Sequence, residues 1–252
     1  MAWLAQALAS HGYIVAAVNH PGNNALEDYT AEGFLLWWER ARNLTTVIDQ
    51  VLTDSQIGPR IDSRRIGAAG FSLGGYTVIE SAGGRTEPAQ FREFCRSHAA
   101  AICNDPDEFP GLFARWDALE ASSPDFRRAS GQANQSYRDP RIRAVLALAP
   151  ALGPAVTTGS LRRISIRVAI VAGANDTVAD VASNAEVFAA AIPSTALTIL
   201  SGAGHYTFLA SCTGNGKQER PGLCQDAPGV DRDAIHRTAL ELAAAFFDHN
   251  LK

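Results

Sequence analysis

Short apolar runs alternate with stretches of helical spacing along this chain. Residues 13–18, 142–148, 166–172 and 196–200 are dominated by Val, Ile, Leu and Ala, and 65–70 is a shorter run of small residues. Runs of this length with few polar positions read as strands buried on both faces. Between them, Leu44, Val47, Ile48 and Val51 share one side of a predicted helix over 44–52. Further helices are predicted over 75–81, 178–192 and 234–247. Residues 1–10 read as an amphipathic helix, with Trp3, Leu4 and Leu8 on one face, and Gly12 suits the left-handed residue that ends such a helix. Strands and helices taking turns predict a mostly parallel sheet with helices on both faces. Residues 1–252 are expected to form one α/β domain, and there is no internal repeat.

Two regions break the rhythm. Residues 84–140 are long and polar, with Phe91, Phe94, Phe109, Phe113 and Trp116 set among many charges. A stretch of this length between strands is functional or helical in its own right. It reads either as a lid over a pocket or as a surface insertion. Residues 211–231 are rich in Gly, Pro and Cys and read as an ordered loop.

Composition narrows the function classes. Hydrophobic residues make up 46% of the chain, enough for the core of one large domain. The net charge of −4 and scattered arginines give no basic face, which argues against nucleic acid as a partner. No apolar run approaches the roughly 20 residues of a membrane span. Residues 1–10 lack the basic start and long apolar stretch of a signal peptide. Cys95, Cys103, Cys212 and Cys224 fall into two local pairs, neither with the short spacing of a zinc or redox motif. Two disulfides would imply an oxidising compartment and an exported or periplasmic protein. Four unrelated thiols would suit a cytoplasmic enzyme.

The chemistry centres on Gly70-Phe71-Ser72-Leu73-Gly74, a G-x-S-x-G motif between a short strand and a helix. The turn it makes is sharp, so Gly70 and Gly74 are expected to be small for steric reasons. The serine is lifted to the carboxyl edge of the sheet, and the helix that follows aims its free N–H groups and dipole at the site. The backbone N–H of Leu73 is then one oxyanion donor.

A serine hydroxyl needs a base. His205 follows the strand at 196–200 in a glycine-rich loop that can aim an imidazole back at Ser72. His20 also follows a strand and, with Phe71 and Tyr206, is a candidate for the pocket wall. His236 and His249 fall on the closing helix and read as surface groups. The base needs an acid to hold its tautomer. Asp176 lies just past the strand at 166–172; a helix N-cap is its other reading. Asp180 is the runner-up acid, a turn inside the predicted helix. The chain order Ser72, Asp176, His205 is that of α/β-hydrolases.

Gly70-Phe-Ser-Leu-Gly-Gly75, Gly173-Ala-Asn-Asp176 and Gly202-Ala-Gly-His205-Tyr-Thr-Phe-Leu209 together resemble the bacterial dienelactone hydrolase-like group related to platelet-activating-factor acetylhydrolases. Leu8-Ala-Ser-His-Gly-Tyr-Ile-Val-Ala-Ala-Val-Asn-His-Pro-Gly22 fits the same group. The resemblance covers nearly the whole chain and is weakest over the insert. It implies an α/β-hydrolase fold and a Ser–His–Asp esterase with an insert over the site, often exported. The elbow carries serine where dienelactone hydrolases proper carry cysteine, so dienelactone is not the expected substrate. Members of the group begin with several strands before the first helix. One of them lies between the strands matching 13–18 and 65–70, and the loop after it gives the second oxyanion donor. This chain starts at that helix. The expectation is therefore that the chain is an N-terminally truncated fragment of a longer protein, or that 13–18 pairs with 65–70.

The expected reaction is acyl transfer on a small-molecule ester. His205 deprotonates Ser72, Asp176 orients His205, and water activated by the same histidine releases the acyl group. This chemistry needs no metal or organic cofactor. The competing readings are a catalytically impaired α/β-hydrolase-like chain lacking part of its oxyanion hole, and a lipase or peptidase of the same fold.

Overall fold

The computed structural model describes residues 1–252. Four strands form a wholly parallel sheet in the order β1 (Ile66–Phe71), β2 (Ile142–Leu148), β3 (Arg167–Gly173) and β4 (Thr195–Leu200). Helices α1 (Ala2–Ser10), α2 (Ala31–Leu35) and α3 (Glu39–Thr53) precede it. Helix α4 (Leu73–Ala82) links β1 to the insert, which contains α5 (Pro88–Ser97), α6 (Leu112–Ser122) and α7 (Pro124–Ser130). Helices α8 (Thr158–Leu161) and α9 (Ala185–Ala191) lie on the later crossovers. After β4 come the short α10 (Gly214–Glu219) and α11 (Pro221–Cys224), and then α12 (Arg232–Leu251) closes the chain. No helix is long and apolar enough to cross a membrane.

The two central strands, β2 and β3, are apolar on both faces because both faces are covered. Val145 and Ala147 of β2 and Val168 and Ile170 of β3 face a core shared with α4, α9, the insert and Trp37 and Trp38. Ala144, Leu146, Leu148, Ala169 and Val171 point the other way, into a second core closed by Leu4 and Leu8 of α1 and Ala239, Ala243 and Phe247 of α12. This is an α/β architecture, with a parallel sheet between two helical layers.

The polar insert is anchored by its aromatic residues. Phe91 and Trp116 are buried and pack edge-on to Trp37, with ring centroids 5.2 and 5.4 Å away, while Phe109 lies 5.3 Å from Phe34. Two disulfides are formed, Cys95–Cys103 within the insert and Cys212–Cys224 in the loop before α12.

Three expectations are corrected. Residues 13–18 form no strand: 14–18 make no backbone–backbone hydrogen bond and do not pair with β1. A cavity of about 900 Å³, lined by α1, α3, β1 and the end of α12, separates the two segments. Ile14 and Val15 stay 48% and 40% exposed. An apolar run becomes a strand only where a neighbour offers a ladder, and none reaches this one. Second, the helix predicted over 178–192 is confined to Ala185–Ala191. Asp180 therefore lies ahead of it, where its carboxylate accepts from Ser183 N at 2.9 Å. Local bonds of this kind compete with helical ones. Third, His236 is buried, with its ring stacked on Trp3 at 4.1 Å. His249, by contrast, is exposed.

Candidate active site

Strand β1 delivers Ser72 to the carboxyl edge of the sheet, and α4 begins at the next residue. Ser72 has φ 56° and ψ −118°, a conformation that costs an L-residue about 1–3 kcal/mol. The surrounding backbone imposes it. Ser72 N donates to Leu148 O at 2.9 Å, and Ser72 O accepts from Tyr76 N at 3.0 Å and Ala151 N at 3.2 Å. A Cβ on Gly75 would come within 2.9 Å of Pro150 Cα, so that glycine lets α4 settle against the turn after β2. Leu73 is the first residue of α4, so its amide has no acceptor within the helix and is free for a ligand.

Asp176 and His205 come from the next two strand ends. Gly173 closes β3, and a Cβ there would sit 2.3 Å from Ala203 O, so glycine is what lets the two loops touch. Asn175 N donates to Ala203 O at 2.9 Å across the same contact. His205 begins a short 3-10 turn, His205–Phe208, directly after the loop that leaves β4.

The three side chains meet. His205 Nε2 lies 2.9 Å from Ser72 Oγ, and His205 Nδ1 lies 2.7 Å from Asp176 Oδ2. The carboxylate only accepts, so Nδ1 carries the proton and Nε2 is left to accept from the serine. Asp176 and His205 are both buried, which keeps water from competing for the pair. Asp176 Oδ1 also accepts from Val178 N at 2.9 Å and Ala179 N at 2.8 Å. The helix N-cap reading of Asp176 is corrected: the next helix starts only at Ala185, after Asn184, so Oδ1 holds a local turn while Oδ2 meets His205. Asp180 is not in contact with His205.

The remaining candidates divide. The Phe71 ring packs 4.8 Å from the His205 ring, and Tyr206 meets it edge-on at 5.2 Å. Tyr206 Oη is 3.5 Å from Glu108 Oε1, the point where the insert reaches the site. Burial, followed by the nearby Glu108 and Asp107 charges, pushes the Tyr206 phenol up and keeps it protonated. His20 sits on the wall of the cavity beside β1, which Phe71 and Gly74 line but Ser72 does not. Burial, then the neighbouring Arg40 charge, hold His20 down at about 3, so it is neutral at ordinary pH.

The sequence reading missed a group behind the elbow. Arg40 of α3 is buried, and its Nε donates to Thr77 Oγ1 at 3.1 Å. Thr77 in turn donates to Leu73 O at 2.6 Å, tying α3 to the first turn of α4. Burial lowers the Arg40 guanidinium to about 10, still charged at neutral pH. Nothing in its local sequence marks Arg40; only its burial does.

Comparison with known proteins gives partial matches. No protein-family model matches the chain. It is 34% identical over 89 residues to cutinase est1 of Thermobifida alba, a stretch covering 34% of this chain and 27% of that protein. Cutinase 2 of Thermobifida cellulosilytica is 32% identical over 89 residues, covering 34% of this chain and 30% of that one. The match therefore spans under a third of the length of these curated relatives. Among solved structures, a predicted CIB-like hydrolase from Thermoplasma acidophilum aligns over 95% of this chain and 76% of its own, with a TM-score of 0.46 and 16% identity.

Proposed function

We propose that this chain, an α/β-hydrolase by fold, is a serine ester hydrolase in which Ser72 is the nucleophile, His205 the general base and Asp176 the orienting acid. The observation that carries this reading is the hydrogen-bonded series from Ser72 Oγ through His205 to Asp176, at 2.9 and 2.7 Å. The likeness to cutinases over 89 residues supports the same class.

In the proposed reaction Ser72 Oγ attacks the ester carbonyl as His205 Nε2 takes its proton. The Leu73 N–H donates to the oxyanion, and the dipole of α4 favours the negative charge. His205 then protonates the departing alcohol. In the second half it deprotonates water, which cleaves the acyl-serine bond and restores Ser72. Asp176 stays ionised throughout and stabilises the imidazolium. Small and medium esters are the proposed substrates, and Glu108 of the insert lies against Tyr206, whose ring meets that of His205. The two disulfides support an oxidising, exported setting.

Hydrolysis of p-nitrophenyl butyrate, with fluorophosphonate labelling, tests the assignment on wild type and Ser72→Ala. The substitution should abolish labelling and lower turnover by about 10⁴-fold or more. Activity that survives it would remove Ser72 from the mechanism.

A further inference from the structure

The segment between the His205–Phe208 turn and α12 buries almost nothing. Of residues 211–230 only Cys224 is buried. Such a loop adds little to the core, yet its inward polar bonds converge on one place, the turn that carries His205. Thr207 Oγ1 donates to Asp226 Oδ1 at 2.6 Å. Arg232 grips the same carboxylate through Nε to Oδ2 at 2.8 Å and Nη2 to Oδ1 at 3.2 Å. Arg232 also donates to Leu223 O at 3.1 Å and Ala210 O at 3.4 Å, which ties α11 and the exit of the His205 turn to the same point. The Cys212–Cys224 bridge closes the loop around this cluster.

We infer that Asp226 is a positioning residue for His205, acting through the Thr207 hydroxyl and held in place by Arg232 and the Cys212–Cys224 bridge. The inference rests on the proposed role of His205 as base. Its physical basis is the direction of the hydrogen bonds. An ionised carboxylate only accepts, so the Thr207 hydroxyl must point its proton at Asp226. A lone pair is then left for Gly204 N, which donates to Thr207 Oγ1 at 3.0 Å. Gly204 is the residue before His205, so the backbone entering the imidazole is fixed by a bond whose polarity Asp226 sets. Burial pushes the Asp226 carboxyl up, but the hydrogen bonds from Arg232 and Thr207 outweigh it and leave it below the usual carboxylate range.

The same turn is fixed from its other side. His236 Nε2 donates to Thr207 O at 2.8 Å, and Trp3 Nε1 donates to Phe208 O at 2.9 Å. Every bond described here lies behind His205, away from Ser72. What they determine is where Nε2 points. An error of about 1 Å in such a group can cost on the order of a hundredfold in rate.

The test compares Asp226→Asn, Thr207→Val and Thr207→Ser with wild type. Asn at 226 can donate to Thr207 and so lose control of the bond's direction. Val at 207 removes the bond while leaving the Asp226–Arg232 pair intact, and Ser restores it. Asp226→Asn and Thr207→Val should lower kcat for p-nitrophenyl butyrate by about ten- to a hundredfold, with KM within about twofold and Thr207→Ser near wild type. The far-downfield Nδ1–H proton resonance of His205 should weaken in the first two variants alone. Folded Asp226→Asn and Thr207→Val proteins with wild-type kcat and resonance overturn the inference. So does loss of the fold in both, which would make the cluster purely structural. Should wild type neither hydrolyse the ester nor label, the esterase reading fails by itself, while the resonance still reports whether Asp226 holds His205.

Discussion

A Cβ on Gly70 would lie 2.1 Å from the carbonyl oxygen of Gly74, so the strand entering the elbow and the helix leaving it touch backbone to backbone. The two glycines of the motif are therefore not equivalent. A Cβ on Gly74 itself would meet nothing within 4 Å, which corrects the expectation that both must be small for steric reasons. Gly70→Ala should destabilise the protein by about 1–3 kcal/mol and displace Ser72, with a large loss of ester hydrolysis. Gly74→Ala should keep the fold and gain up to about 1 kcal/mol, since alanine is the better helix former. Urea denaturation of the two variants measures the contrast; equal behaviour would contradict the close approach.

Asp176 and Asp180 are separated by what each carboxylate touches. Asp176→Asn keeps an oxygen for Val178 N and Ala179 N but no longer fixes the His205 tautomer. Turnover should fall by about 10⁴-fold with the melting temperature little changed. Asp180→Asn keeps an oxygen for Ser183 N and gives up only the acceptor of the Ser183 hydroxyl, so its turnover should stay within about twofold of wild type. Steady-state kinetics on both variants decides which acid serves the histidine.

Glu80 lies in α4 beneath the elbow, fully buried, with Oε2 accepting from Thr86 Oγ1 at 2.7 Å and Oε1 without a partner. Burial, partly offset by the bonds from Thr86, raises its carboxyl well above the ordinary value of 4.5. The folded protein therefore keeps a proton that the unfolded chain releases. Its contribution to stability is full below the unfolded pKa and is lost as pH rises towards the folded one. Glu80→Gln has no proton to lose. Its stability relative to wild type should increase from pH 4 to pH 8, by up to about 1.4 kcal/mol per pH unit where only the unfolded chain is ionised. His20, whose pKa is lowered to about 3, destabilises the fold below its ordinary value of 6.5. That effect is common to both proteins and cancels in the difference. Urea midpoints across this range provide the measurement, and a flat difference would mean that Glu80 titrates normally.

Local chemistry made much of the protein legible. The runs at 142–148 and 166–172 are strands because they are apolar on both faces, and the sheet has a helical layer on each side. Ser72, Asp176 and His205 each follow a strand, and strand ends are where a parallel sheet collects its loops. The pairing of the cysteines was legible as an alternative, since each pair is close in sequence.

Other features depended on neighbours distant in the chain. Residues 13–18 have a strand's composition but lack a ladder, because pairing belongs to two segments and composition to one. The helix read from 178 starts only at Ala185, because Asp176 and Asp180 engage the backbone ahead of it. His236 looked like a surface group until α1 brought Trp3 against it. Arg40 behind the elbow and Asp226 behind His205 carry no local signature, since each is bonded to a threonine on another element. The sequence by itself determined which residues could do the chemistry and the order in which strand ends present them. Tertiary structure alone decided their distances, their burial and the bonds behind them, because a hydrogen bond between distant residues forms only after the fold has brought its two ends together.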